Sequence, residues 1–174
     1  MRPAHLVSLG ILASLVVAAP IISAQAGGLD DPTIVAIFDA ANTVDIETGQ
    51  LAVERGSTEA VRNFGKMLVT DHTNVRKMGR DLAAKLGVTP TPPADQSAAK
   101  AHQATMQKLR SLHGTAFDRA FLEHEIAFHA ATISAVTTTL LPAIKNAELK
   151  ALVEKVAPAF VGHQKMAESL LKGL

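Results

Sequence analysis

Apolar positions recur along this chain at helical spacing, in four long stripes, and each stripe is interrupted by a polar side chain of ligand type. Ile37, Val44 and Leu51 mark the first, with Glu47 and Glu54 on the same line. Val61, Phe64, Leu68, Val75, Leu82 and Leu86 form the second, around His72. Leu122, Ile133, Val136 and Leu140 form the third, around His129. Leu149, Val153, Val156, Phe160, Ala167 and Leu170 form the fourth, around His163. No alternating segment of useful length and no internal repeat is present. The pattern predicts an all-α chain.

Punctuation between the stripes sets the helix boundaries. Asp30-Asp31-Pro32 reads as a capping carboxylate followed by an early helical Pro. Gly56-Ser57 closes the first helix and caps the second, which stops at Gly87. The stretch Thr89-Pro90-Thr91-Pro92-Pro93 suits neither a helix nor a central strand, so it reads as an extended connector. A shorter helix over 95–112 follows, and the third long helix begins near Thr115. Its Thr137-Thr138-Thr139 run has poor helix propensity and is expected to fray before Pro142. The last helix starts near Asn146, and Pro158 within it is expected to kink it and free the Glu154 carbonyl.

Two short-loop hairpins joined by a long connector over 88–114 describe a ferritin-like four-helix bundle with a crossover that contains a short helix. A register count favours this wiring. Measured from the end where the first two helices meet, Glu47 and His72 lie roughly 9 and 15 residues along. With the third helix parallel to the second, His129 falls at about 14 and His163 at about 8, within roughly 10 Å of one another at the helical rise. Plain up-down-up-down wiring would put His163 at about 20.

Composition narrows the function classes. Arg2, the apolar run Leu6–Ala19, Pro20 and Ala24-Gln25-Ala26 together read as a signal peptide over 1–26, cleaved before Gly27, with an uncleaved anchor as the alternative. Residues 27–174 then form one exported domain, periplasmic or in the cell envelope. The chain has no Cys, which excludes disulfides, thiolate metal sites and a lipid-modified cysteine. Arg2 is the only Lys or Arg of the leader, so the remainder of the chain balances its charges, giving no general pull toward nucleic acid or anionic lipid. Trp and Tyr are absent, which removes the stacking platforms used for single-stranded nucleic acid. Nothing resembles a nucleophile-base arrangement or a phosphate loop, and no small-molecule substrate is identifiable.

Glu47, His72, His129 and His163 are the candidate metal ligands, because a polar group in a core stripe costs ~1–3 kcal/mol unless it finds a partner. Asp71 beside His72, Glu125 four residues before His129, and Glu54 are further ligands or supporting groups. Imidazole with carboxylate suits one Fe, Mn, Zn or Cu ion. The alternative is a buried hydrogen-bonded network without metal. The Glu-x-x-His pairs of a di-iron centre are missing: Glu125 and His129 are spaced by four. His102 and His113 read as solvated residues of the connector. His124 reads as the cap of an aromatic patch with Phe117, Phe121 and Phe128.

The chain resembles the bacterial exported ferritin-like family known as domain of unknown function 4142, often labelled as outer membrane proteins. The resemblance rests on Glu47-Thr-Gly-Gln-Leu-Ala-Val-Glu54 and Met67-Leu-Val-Thr-Asp-His72. Phe117-Asp-Arg-Ala-Phe121, with His129 downstream, and Pro158-Ala-Phe-Val-Gly-His163 complete it, over about residues 32–172. It implies an envelope bundle of unestablished biochemical role, with Glu47, His72, His129 and His163 at its polar core positions. Phe121 stands where the family commonly has Tyr, so a phenol's role is lost there. The expected function is non-enzymatic: a metal-binding or stress-related envelope protein, as a homo-oligomer or with an envelope partner. The rivals are a metal-dependent oxidase or peroxide-consuming enzyme, and a purely structural or protein-interaction module.

Overall fold

The computed structural model describes residues 29–174, so the leader expected over 1–26 lies outside the described residues. Every regular element among the described residues is helical. Helix α1 spans Asp31–Arg55, α2 Glu59–Leu86, α3 Ser97–Ser111 and α4 Gly114–Ala135. The last helix, α5, spans Ala147–Lys172. Local chemistry sets the ends. The Asp30 carboxylate accepts the Thr33 N–H, and Asn146 caps α5 by accepting from Glu148 and Leu149. Thr58, one residue after the expected Ser57, caps α2 by accepting from Val61. Gly87 closes α2 at φ 65°, in the left-handed region that favours glycine.

One expected irregularity resolves differently. Val136–Leu140 does not fray but continues α4 as a wider π turn, ending in a last turn at Leu141–Ala143. Thr137 and Thr138 donate their hydroxyls back to the Ile133 and Ser134 carbonyls at 2.9 and 2.8 Å, which satisfies groups that would otherwise open. Helix α5 stays helical through Pro158, whose ring lies on the exposed face and which has no N–H to give the Glu154 carbonyl.

Contacts between the ends fix the wiring. Asp118, near the start of α4, accepts from the Ser57 backbone and hydroxyl in the α1–α2 turn. Asp31, at the start of α1, accepts from the Lys145 and Asn146 amides in the α4–α5 loop. Helix α4 therefore starts where α2 starts and runs parallel to it. The connector makes the return journey: Thr91 bonds the Pro32 carbonyl at one end, and Arg55 bonds the Arg110 carbonyl at the other. This is the single crossover that the register count favoured.

Helices α1 and α2 make the tightest seam. A Cβ on Gly65 would lie 2.7 Å from the Gly49 carbonyl, so only glycine permits this approach. The interior has two apolar clusters. Ile34, Phe38, Leu140, Leu149 and Val153 fill the end near the α4–α5 loop. Leu51, Phe64, Leu68, Phe117 and Phe121 fill the end near the α1–α2 turn. A polar layer on the four long helices lies in the same interior.

Candidate metal centre

The layer holds His72, His129, His163, Asp45, Glu125, Asn42 and Thr48, all buried. Hydrogen bonds assign the ring protons. Asn42 Nδ2 donates to the Phe38 carbonyl at 2.8 Å, which turns Asn42 Oδ1 toward Nδ1 of His72 at 3.0 Å. An amide oxygen only accepts, so His72 carries a proton on Nδ1. His129 Nδ1 donates to the Glu125 carbonyl at 2.9 Å by the same logic. His163 Nε2 lies 3.0 Å from Asp71 Oδ2, and a carboxylate there accepts its proton.

Each imidazole thus has its outer nitrogen held by a carbonyl or carboxylate, the arrangement that orients metal-binding histidines. The inner nitrogens are then lone pairs: His72 Nε2, His129 Nε2 and His163 Nδ1. One ring nitrogen from each of the three lies within 4.8 Å of the others. His72 Nε2 and His163 Nδ1 are 3.1 Å apart, a separation at which two facing lone pairs repel unless a cation or proton is shared between them.

The carboxyls stand on the other side of His129. Asp45 Oδ2 is 3.4 Å from His72 Nδ1, and Asp45 Oδ1 is 3.8 Å from His129 Nε2. Glu125 Oε2 is 3.5 Å from His129 Nδ1. None of these approaches makes a hydrogen bond. Both oxygens of Asp45, both of Glu125 and Nε2 of His129 are buried without a hydrogen-bond partner among the described residues. Such groups cost ~1–3 kcal/mol each to leave unmet.

Burial disfavours charge on Asp45, Glu125, His72 and His129. It pushes the Glu125 carboxyl up to about 7, while the nearness of the Thr48 hydroxyl and of Asp45 pulls it down. Asp45 rises well above the usual carboxylate range, first through burial and then through the neighbouring Glu125. His72 falls to about 2, first through burial and then through the charges of His163 and His129. His129 falls to about 4, again chiefly through burial. A divalent cation would supply the positive charge that ionises the carboxyls, and His72 and His129 are already in their ligating form. The groups form two sets that share His129, one with His72 and His163 and one with Asp45 and Glu125, and imidazole with carboxylate fits Fe, Mn, Zn or Cu.

The structure brings His72, His129, His163 and Glu125 together, as the sequence suggested. It does not bring Glu47 with them. Glu47 faces outward from α1, its side chain 46% exposed, and binds His102 Nε2 through Oε2 at 2.7 Å. Two residues turn a helix by roughly 200°, so Asp45 and Glu47 cannot share a face, and Asp45 takes the core position. Glu54 is exposed, beside a shallow groove with Gln50, Val53 and Lys66. Asp71 is half-buried and acts on His163 from the rim. His102 is not solvated, because Glu47 holds it against the bundle. His124 stacks on Phe128 as expected, whereas Phe117 and Phe121 pair with each other in the core. Asp45, Asn42 and Thr48 were missed. The one available signal was an Asp between Val44 and Ile46, three residues after Asn42 and so on its face.

No curated protein matches the chain. A crystal structure of a DUF305 fragment from Deinococcus radiodurans is similar in fold, with a TM-score of 0.73 at 18% identity, covering 82% of this chain and 95% of that one. The sequence matches the family described as Domain of unknown function (DUF4142) over residues 18–170. Both the helical pattern and that match lead to one conclusion: the chain belongs to the DUF4142 family.

Proposed function

We propose that this is an exported envelope protein whose bundle core binds one transition-metal ion, with His72, His129 and His163 as ligands, Asp45 as the fourth and Glu125 as its carboxyl neighbour. The observation that carries the reading is the set of five buried oxygen and nitrogen atoms without partners on Asp45, Glu125 and His129, beside three imidazoles whose other nitrogens are held from outside. A purely hydrogen-bonded layer accounts for His72, Asn42 and Asp71. It leaves His129 Nε2 unmet, and it pairs Asp45 with Glu125 only through a proton shared between them. Export rests on the leader pattern, and N-terminal sequencing of secreted material should begin at Gly27.

The test is a thermal melt of wild type and His129→Ala, each with and without Zn(II), Mn(II) and Fe(II). Binding to the folded state raises Tm by mass action, about 2.7 kcal/mol of stabilisation at a hundredfold excess over Kd. Wild type should gain and His129→Ala should not. No gain with any of the three metals, together with no metal in protein purified from its own compartment, would overturn the reading in favour of a structural layer.

A further inference from the structure

Each imidazole of the core layer has its outer nitrogen held, but the three holders differ. Asn42, which holds His72, is neutral and fully buried. The Glu125 carbonyl, which holds His129, is neutral and belongs to a fully buried residue. The holder of His163 is a carboxylate, Asp71 on α2, and 44% of its side chain is exposed. An acceptor that only orients a ring needs no charge, since Asn42 does this for His72. The bond to His163 uses Oδ2 of Asp71 and leaves Oδ1 for another partner.

His163 is also where the layer comes nearest to water. It is 5% exposed, against 1% for His72 and 0% for His129, Asp45 and Glu125. Gly162, beside it in α5, has open space where a side chain would stand, so no neighbour covers that face. Pro158, five residues earlier, leaves the Glu154 carbonyl without its helical N–H, which loosens α5 just ahead of His163. The His163 ring itself spans the step from surface to core. Its Nε2 lies 3.0 Å from Asp71 Oδ2, and its Nδ1 lies 3.1 Å from His72 Nε2.

We propose, on the basis of the core site above, that Asp71 and His163 form its entry gate at the α2–α5 seam. The Asp71 carboxylate captures a hydrated divalent cation at the rim. The His163 ring swings aside to pass the ion inward, then returns as a ligand with its Nε2 held again by Asp71. A carboxylate at the mouth of a low-dielectric passage raises the local cation concentration and so the rate of entry. The same path of lowest barrier serves release, so the gate sets how fast the ion exchanges rather than how tightly it is held.

Stopped-flow loading with Co(II), whose visible absorption reports entry into a nitrogen and oxygen site, followed by release into EDTA, tests the gate. Asp71→Asn keeps an acceptor for His163 Nε2 and removes the charge. Its loading should slow roughly tenfold, the low end of what a focused charge contributes to an on-rate. Release should slow with it, and the dissociation constant should move less than either rate. Asp71→Glu, which keeps the carboxylate, should load close to the wild-type rate. Glu54→Gln removes an equal charge from an exposed position on α1 and should load like wild type. Circular dichroism checks that each variant folds. If Asp71→Asn loads at the wild-type rate and only releases faster, Asp71 merely orients His163, and the gate is overturned while the core site stands. Equal slowing by Glu54→Gln also overturns it, since surface charge in general would then steer the ion. Wild type that develops no Co(II) absorption and takes up no Zn(II) overturns the core site, and the gate with it.

Discussion

The apolar clusters and the polar layer are built on the same four helices, yet their ways of satisfying burial are opposite. Leu68, Phe117 and Leu149 are buried among other apolar side chains and need no particular orientation beyond close packing. Asp45, Glu125 and His129 are just as deeply buried, and of their side-chain polar atoms only His129 Nδ1 has a hydrogen-bond partner among the described residues. The clusters hold the fold together with no help from a ligand. Unmet atoms in the layer cost stability, a cost that the proposed ion would remove.

Truncation in a cluster should have the largest effect. Leu68→Ala removes a fully buried side chain and should cost about 2–5 kcal/mol in urea unfolding, equally with and without metal. A metal-dependent cost would mean that cluster and layer are one unit. Next comes the α1–α2 seam. Gly65→Ala places a methyl 2.7 Å from the Gly49 carbonyl and 2.9 Å from the Ala52 Cβ, and should cost about 1–3 kcal/mol. A neutral result would show that the hairpin can spread.

The layer should respond to pH through its carboxyls rather than its imidazoles. Ligation strips protons from Glu125, which burial holds up at about 7, and from Asp45, which stands well above its usual value. The metal-free fold therefore binds protons that the metal must displace, and affinity rises as pH rises through about 7. His72 and His129, pushed down to about 2 and about 4, are already neutral there and add no slope. Each proton displaced is worth about 1.4 kcal/mol per pH unit. The Tm gain from Zn(II) should thus grow from pH 6 to pH 8. A gain that levels off by pH 6.5 would assign the protons to histidine.

The smallest change in metal-free stability should come from Asp45→Ala, despite complete burial of the residue. Removing an unmet carboxyl offsets the loss of its packing, so the metal-free protein should stay within about 1 kcal/mol of wild type or exceed it. Its Tm gain with metal should vanish. A loss comparable to Leu68→Ala would show that Asp45 is a satisfied structural residue.

Much of this was legible in the chain. Stripes, caps and the Pro-rich connector gave the helices, and the register of His72, His129 and His163 gave the crossover. Face assignment succeeded on α2, α4 and α5, where a histidine interrupts a well-defined apolar line. It failed on α1, where Ile34, Val35, Ala36 and Phe38 are all buried. Apolar residues surround that helix, so periodicity does not say which side faces in, and the pattern pointed to Glu47 while Asp45 was missed.

The sequence by itself determined that four amphipathic helices must share a core and that polar groups would be trapped within it, because both follow from spacing along one chain. Only the tertiary structure decided which carboxyl is trapped. The close Gly49–Gly65 approach fixes the rotation of α1 against α2, turning Asp45 inward and Glu47 outward to His102. Ring tautomers and carboxyl protonation were decided there too, because they depend on neighbours from other helices and on the exclusion of water, neither of which is written in local sequence.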